Sequence, residues 1–266
     1  MNLVAIIDQY LHEDVMIAFS GGVDSTLLLK IAVEASKRYH THVYAVTIQT
    51  VLHPVMEADE AKRIADELGA IHKVIHVDEL EGAGIENNPV DRCYLCKKYM
   101  FTKVKELAHS LGISTILEGT NADDLKQYRP GIKAIQELGL HSPLLEANMT
   151  KKEIRELAAD YDLKAANKPS SPCLATRFPY HTLLNYEEMR KVEKIEDYLH
   201  ACGFYNVRAR IHNDLVRLEI DQDAFMKCMD YRQEIVLIIK ELGYDYVTLD
   251  LEGFRSGSQD IKLEEK

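Results

Sequence analysis

Short apolar runs alternate with longer amphipathic stretches through the first two-thirds of the chain. Val15-Met-Ile-Ala-Phe19 is unbroken by a polar residue and predicts a buried strand, and Thr26–Tyr39 after it predicts a helix. Val43–Thr47 reads as a second strand. Glu57–Leu68 places its apolar residues at helical spacing, and Ile71–Val77 reads as a third strand. Cys96–Leu111 predicts a helix that Gly112 ends, and Thr115–Glu118 a fourth strand. Strand and helix in strict alternation imply parallel strands joined by right-handed crossovers. The expected fold class is therefore α/β, a doubly wound parallel sheet with its ligand beyond the carboxyl ends of the strands.

The texture changes after Ala175-Thr-Arg-Phe-Pro179. Tyr186–Leu199 predicts a helix. Val207–Ile211 and Leu215–Ile220 alternate apolar and polar residues as paired strands do, with Asn213-Asp214 at the turn. Ala224–Leu242 reads as one helix and Tyr246–Leu251 as a last strand. This predicts a smaller α+β domain over 179–258, a larger domain over 1–178, and a disordered charged tail over 259–266.

Composition narrows the classes. With 266 residues and 46% hydrophobic content the chain can bury a full core. It contains no run of 18 apolar residues, and no membrane span is expected. The first ten residues lack a basic region and are broken by Asp8, so no secretory signal is expected. Five unevenly spaced cysteines argue against a disulfide framework and for a reducing cytoplasm. A formal charge of −11 argues against a nucleic-acid partner and for a small-molecule substrate.

Ser20-Gly-Gly-Val-Asp-Ser25 joins the first strand to the first helix. Gly21 and Gly22 are expected to supply a turn with positive φ. The first N–H groups of the helix lack intrahelical partners, and with the Ser20 and Ser25 hydroxyls they form an anion site. No lysine follows the glycines, so this differs from the loop that handles a transferred γ-phosphate. It resembles the SGGxDS loop of the PP-loop pyrophosphatase superfamily, which implies that the β- and γ-phosphates of ATP are held as a leaving group. Glu118-Gly-Thr-Asn-Ala-Asp-Asp124 follows the fourth strand and faces the same crevice. Gly119 allows close approach to a nucleotide, and Asp123 and Asp124 suit magnesium bridging phosphates. A helix-capping turn is the competing reading of these residues.

Cys93-Tyr-Leu-Cys96 lies at a helix start, and Cys173 lies in Lys168-Pro-Ser-Ser-Pro-Cys-Leu-Ala-Thr-Arg177. A Cys-x-x-Cys serves zinc, redox chemistry, an iron–sulfur cluster or nothing. Three thiolates with an open fourth iron position suit a 4Fe-4S cluster. Cys173 has two flanking prolines, and Arg177 is placed to help keep its thiolate charged. Cys202 and Cys228 sit among apolar neighbours and read as structural. Arg208, Arg210 and His212 share one strand face by the two-residue period. Such a stripe fits either phosphate recognition or the solvated face of an antiparallel pair.

Taken together, Ser20–Ser25, Arg92-Cys-Tyr-Leu-Cys-Lys97, Glu118–Asp124 with Tyr128-Arg-Pro-Gly131, Ser142-Pro-Leu144, Lys168–Cys173, Val207-Arg-Ala-Arg210 and Gly253-Phe-Arg-Ser-Gly257 resemble the LarE family of ATP-dependent sulfur transferases. The resemblance runs almost end to end. It implies a PP-loop ATP pyrophosphatase domain of the adenine nucleotide alpha hydrolase-like class, followed by a smaller domain for substrate binding and oligomerisation. It implies that ATP adenylylates a carboxylate of a pyridinium-biscarboxylate mononucleotide and that sulfur carried at Cys173 displaces AMP. The implied ATP-binding residues are Ser20, Gly21, Gly22, Asp24, Ser25, Thr47, Gly119, Asp123 and Asp124. Asp24, Cys173 and Arg177 are implied as catalytic, and Arg208 and Arg210 as ligands of the substrate phosphate. The implied cofactors are ATP, magnesium and a 4Fe-4S cluster on Cys93, Cys96 and Cys173, and the implied assembly is a homo-oligomer. Family members with one active cysteine sacrifice its sulfur, whereas this chain carries the three-cysteine pattern. A tRNA thiolase and a non-catalytic nucleotide-binding protein are the alternatives.

Overall fold

Val15, Met16 and Ile17 are all fully buried, because β1 (Val15–Ala18) lies inside a four-stranded sheet and both of its faces are covered. The computed structural model describes residues 2–50, 52, 56–126, 130–164, 173–255 and 257–258. Tyr128, Arg129, Lys168 through Pro172, Ser256 and the predicted tail lie outside the described residues. Contacts divide the chain into two compact units, Met1–Ile85 with Asp91–Ser171, and Glu86–Val90 with Pro172–Lys266.

In the first unit, β1 is flanked by β2 (Val43–Gln49) and β4 (Thr115–Leu117), and β3 (Ile71–His76) lies beyond β2 at the edge. All the pairings are parallel. The order β3-β2-β1-β4 means that the chain leaves β1 in one direction and returns on its other side. The reversal therefore falls between the ends of β1 and β4.

The two-residue period sorts the side chains of β1. Val15 and Ile17 pack with Val43 and Ala45 against α1 (Leu3–Tyr10), α2 (Val23–Tyr39), α3 (Met56–Leu68), α7 (Pro143–Glu146) and α8 (Lys151–Asp160). Met16 points the other way and packs with Val46 and Ile116 against α5 (Arg92–Ser110) and α6 (Gly131–Leu138). Helices on both faces make the sheet doubly wound, as expected. The strands and helices predicted here are all present, with edges differing by a few residues. The sequence reading did not anticipate α1, the short α4 (Glu79–Gly82), or α6 to α8. Two of these, α4 and α7, have four residues each, too few to display a helical period.

The second unit holds α9 (Tyr186–Ala201) and a three-stranded sheet in the order β5-β6-β7. β5 (Val207–His212) and β6 (Leu215–Ile220) form the expected antiparallel hairpin, and Asn213 takes a left-handed φ of 57° at its turn. β7 (Tyr246–Leu249) runs parallel to β6. The single helix expected over Ala224–Leu242 is instead two, α10 (Phe225–Asp230) and α11 (Arg232–Glu241). Tyr231 closes the first and opens the second, at φ −89° and ψ 5°, and its ring meets Phe204 edge-on. Arg232 donates to the Met229 carbonyl and so helps satisfy the end of α10.

The segment Glu86–Val90 belongs to this unit by its contacts. The Asn88 amide donates to the carbonyls of Phe178 and Pro179, at 3.0 and 2.7 Å. Leu184 N–H donates to the Glu86 carbonyl. Among the described residues, no helix is long and apolar enough to cross a membrane.

Candidate active site

The loop after β1 is closed by its own hydroxyls. Ser25 Oγ donates to the Gly22 carbonyl and accepts from Ser20 N–H, and the two serine oxygens lie 3.2 Å apart. Gly21 has φ +72°, the left-handed conformation that glycine takes without strain. Gly22 does not share it. It is the N-cap of α2 in extended conformation, φ −75° and ψ 165°, so the expectation of positive φ at both glycines is corrected to Gly21 alone. A Cβ on Gly21 would also lie 3.5 Å from Ala61 of α3. Ser25 is buried while Ser20 is exposed, so the Ser20 hydroxyl is the one presented to solvent beside the helix start.

Gly119, at the end of β4, meets this loop directly. A Cβ there would sit 3.3 Å from Asp24 Cβ and 3.4 Å from Ser25 N. The two predicted segments thus converge where the chain direction reverses, the expected ligand position in an open parallel sheet. Glu118 braces the approach: its buried carboxylate accepts from Thr120 N–H, the Thr120 hydroxyl and the Ser142 hydroxyl.

Beyond Gly119, Ala122–Lys126 forms a 3-10 turn. Asn121 Oδ1 accepts from Asp123 N–H, and Asp124 Oδ2 accepts from Asn121 N–H, so the turn caps itself. Asp123 Oδ2 accepts from Lys151 N–H at 2.7 Å. The Lys151 ammonium forms an ion pair with Asp24 Oδ2. Asp24 Oδ1 is buried without a hydrogen-bond partner among the described residues. An orphan carboxylate oxygen beside the anion site suits a cation, and the residues fit magnesium on that ground. Among the described residues of each unit, no three His, Cys, Asp or Glu side chains converge on a metal position. A magnesium ion there would complete its shell from phosphates and water.

Thr47 is buried, and its hydroxyl donates to the Phe19 carbonyl at 2.9 Å. His72 Nε2 lies 2.8 Å from the same oxygen. The hydroxyl proton is committed to Phe19, so Nε2 carries the hydrogen between ring and threonine. Burial holds the His72 pKa below its usual value, more than nearby Asp66 raises it. The side chain of Thr47 therefore anchors the strand end from which the phosphate loop departs.

Cys93 and Cys96 lie one turn apart at the start of α5, the first exposed and the second buried, and Cys173 is partly exposed in the second unit. Arg177 is buried and pairs through two nitrogens with Glu196, at 2.8 and 2.6 Å. Its remaining terminal nitrogen, Nη1, donates to the Cys173 carbonyl and the Thr176 hydroxyl. Arg177 thus holds the Cys173 backbone and has its charge matched by Glu196.

The solvated-face reading of Arg208 and Arg210 is overturned, because both are buried; only His212 is exposed. Arg210 forks onto Glu219 at 3.1 and 3.0 Å and donates to the Thr176 carbonyl and the Ser258 hydroxyl. Glu219 is wholly buried and also accepts from Arg217, which pairs with Asp250. Arg208 differs. It donates to the Val207 carbonyl, lies 5.0 Å over the Phe254 ring, and has no carboxylate partner among the described residues. Burial, then Arg177, pushes its pKa down to about 10.

Sequence reading missed the roles of Lys151, Glu196 and Glu219. The last had a signal: Arg217 and Glu219 alternate with apolar residues in a strand whose hairpin partner carries Arg208 and Arg210.

The family model for a PP-loop domain matches residues 1–128. The chain is 38% identical, over 94% of its length and 90% of the other's, to a pyridinium-3,5-bisthiocarboxylic acid mononucleotide synthase of Lactiplantibacillus plantarum. It is 35% identical, over 91% of its length and 90% of the other's, to an uncharacterized protein of Synechocystis. A tRNA-specific 2-thiouridylase of Carboxydothermus hydrogenoformans is 26% identical over 60% of this chain and 54% of its own.

Proposed function

The chain belongs to the LarE family of PP-loop ATP-dependent sulfur transferases, and from that premise we propose that it acts on pyridinium-3,5-biscarboxylic acid mononucleotide. The observation that carries the reading is the convergence of two loops, Gly21 at left-handed φ and Gly119 against Asp24 and Ser25, at a helix start that no P-loop lysine follows. A helix start of this kind favours the leaving pyrophosphate of ATP rather than a transferred γ-phosphate.

A carboxylate is a poor acyl donor because oxide leaves badly. One carboxylate oxygen of the substrate attacks the α-phosphorus, the bond to the bridging oxygen breaks, and pyrophosphate departs with the electron pair. Sulfur then attacks the activated carbonyl carbon and AMP leaves, giving a thiocarboxylate. Ser20, Gly21, Gly22, Asp24, Ser25, Thr47, Gly119, Asp123 and Asp124 form the ATP site in this reading. Asp24 would hold magnesium through its orphan oxygen, and bound magnesium offsets phosphate charge. Arg208 contacts the substrate phosphate and Arg210 orients the surface around it. Cys173 delivers sulfur and Arg177 fixes its loop. Three cysteines in this pattern suit a 4Fe-4S donor set, so Cys93, Cys96 and Cys173 would hold the cluster, which would supply the sulfur. The 1–178 region serves ATP, and 179–258 serves substrate and self-assembly in a homo-oligomer. The product feeds the nickel-pincer nucleotide of lactate racemase, in the cytoplasm.

Purified protein given ATP, magnesium and the mononucleotide should release AMP and pyrophosphate, and Asp24→Ala should stop it. ADP and orthophosphate would sink the assignment, and tRNA-dependent pyrophosphate release would move it to the thiolases. Anaerobic protein supplied with sulfide should turn over repeatedly at unchanged polypeptide mass. One product per chain, with the mass of hydrogen sulfide lost at Cys173, would replace the cluster with sacrifice of the cysteine.

A further inference from the structure

We propose that Asn88 is a positioning residue for Cys173, an inference that rests on the reading above of Cys173 as the point of sulfur delivery. Asn88 is wholly buried, and its backbone takes a left-handed φ of 47°. Such a φ is uncommon outside glycine, and asparagine is among the few residues that tolerate it. The side chain acts across 90 positions of sequence, donating from its amide to the Phe178 carbonyl at 3.0 Å. The same amide donates to the Pro179 carbonyl at 2.7 Å. The Asn88 carbonyl accepts from His181 N–H, and His181 is itself left-handed at φ 64°. A buried polar side chain on backbone that most residues avoid directs attention to what it holds.

It holds one end of the turn that carries Cys173. Cys173 is the N-cap of a 3-10 helix over Leu174–Arg177, and Phe178 is its C-cap. Leu174, Ala175 and Phe178 are buried, so the turn is packed rather than draped on the surface. At its start the Cys173 carbonyl accepts from Thr176 N–H, the Thr176 hydroxyl and Arg177 Nη1. Arg177 is fixed in turn by Glu196, which also accepts from Ala209 N–H of β5. At the other end the anchor is Asn88. Removing its amide releases the chain at Phe178 and Pro179 and leaves the turn held from one side. Sulfur must meet the activated carbonyl carbon in line, whether the sulfur belongs to Cys173 or is brought there. A misplacement of about 1 Å in such a step costs about a hundred-fold in rate. Adenylylation, the work of the phosphate loop, does not draw on this turn.

The test follows AMP and thiocarboxylate together in Asn88→Gly, which keeps the left-handed backbone and removes the amide. The kcat for thiocarboxylate should fall about ten-fold or more, with KM for ATP and for the mononucleotide unchanged. AMP formed per thiocarboxylate should rise, because the adenylate is still made and is lost to water. Asn88→Asp keeps the size of the side chain without its donor and carries the same forecast should the glycine variant fold poorly. AMP and thiocarboxylate falling in constant ratio would make Asn88 a structural clip and overturn the proposal, as would an unchanged kcat. A second measurement needs no variant: hydrogen exchange in the wild type should find Thr176 and Phe178 N–H, which donate to Cys173 and Ala175, as protected as those of β5. Free exchange at both would overturn the proposal as well. Full thiocarboxylate formation by Cys173→Ala would overturn the reading of Cys173 and this inference with it. Loss of product in Cys173→Ala, with Asn88→Gly coupled like the wild type, would overturn this inference alone.

Discussion

The two ends of the proposed reaction are built from opposite materials. At the phosphate loop the chain offers small residues and backbone: Gly21 in a left-handed turn, Gly119 packed on Ser25, and the start of α2 with Gly22 as its N-cap. In the second unit the proposed anion position is built from charge, with buried Arg177, Arg208, Arg210, Glu196 and Glu219 beside the half-buried Arg217 and Asp250. The first is pre-organised by conformation and depends on which side chains are absent. The second is pre-organised by pairing, and depends on every partner being present.

Breaking the pairing should have the larger effect. Glu219→Ala leaves Arg210 buried without compensation and should cost about 3–5 kcal/mol in chemical denaturation. Arg208 tests whether the network contains a binding group as well as structural ones. Arg208→Ala should raise the substrate KM about ten-fold or more, with ATP binding and the unfolding midpoint barely moved. Equal loss of stability in Arg208→Ala and Arg210→Ala would erase the distinction drawn here. At the loop, Gly21→Ala should cost about 1–2 kcal/mol from left-handed strain, whereas Gly22→Ala introduces none.

A smaller effect separates the regions by the origin of their fields. His72 and His212 both have pKa values below the usual 6.5, and burial is the first cause in each; Lys62 adds to it at His72 against Asp66, and Arg217 and Arg210 add to it at His212 against Glu219. The unfolded chain then binds more protons below pH 6.5, so stability is present above that value and falls as pH drops through the window beneath it. His72→Gln and His212→Gln should each flatten the slope of unfolding free energy with pH. Added salt should shrink the His212 contribution, which two arginines feed, more than that of His72, where Asp66 and Lys62 oppose each other.

Legibility followed the same division. Val15–Phe19, the glycine turn and Glu118–Asp124 were readable because strand period, glycine and capping residues act locally in sequence. Lys151 was not, since its partner Asp24 is 127 positions away and nothing in Met149-Thr-Lys-Lys marks it. Arg208 and Arg210 were found, but their burial was not. A charged stripe on a hairpin reads as solvated unless the carboxylates that cover it are identified, and Glu196 comes from a helix. Tyr231 divides a helix that local spacing would have continued, and its ring meets Phe204 edge-on.

The five residues Glu86–Val90 impose an order on synthesis. They emerge from the ribosome long before Phe178 and Pro179, whose carbonyls accept the Asn88 amide. The second unit cannot assemble until its own chain arrives, and meanwhile its earliest segment is tethered within the first. A gene fragment beginning at Pro172 would therefore encode an incomplete unit, and any exchange of this unit between relatives must carry both stretches together.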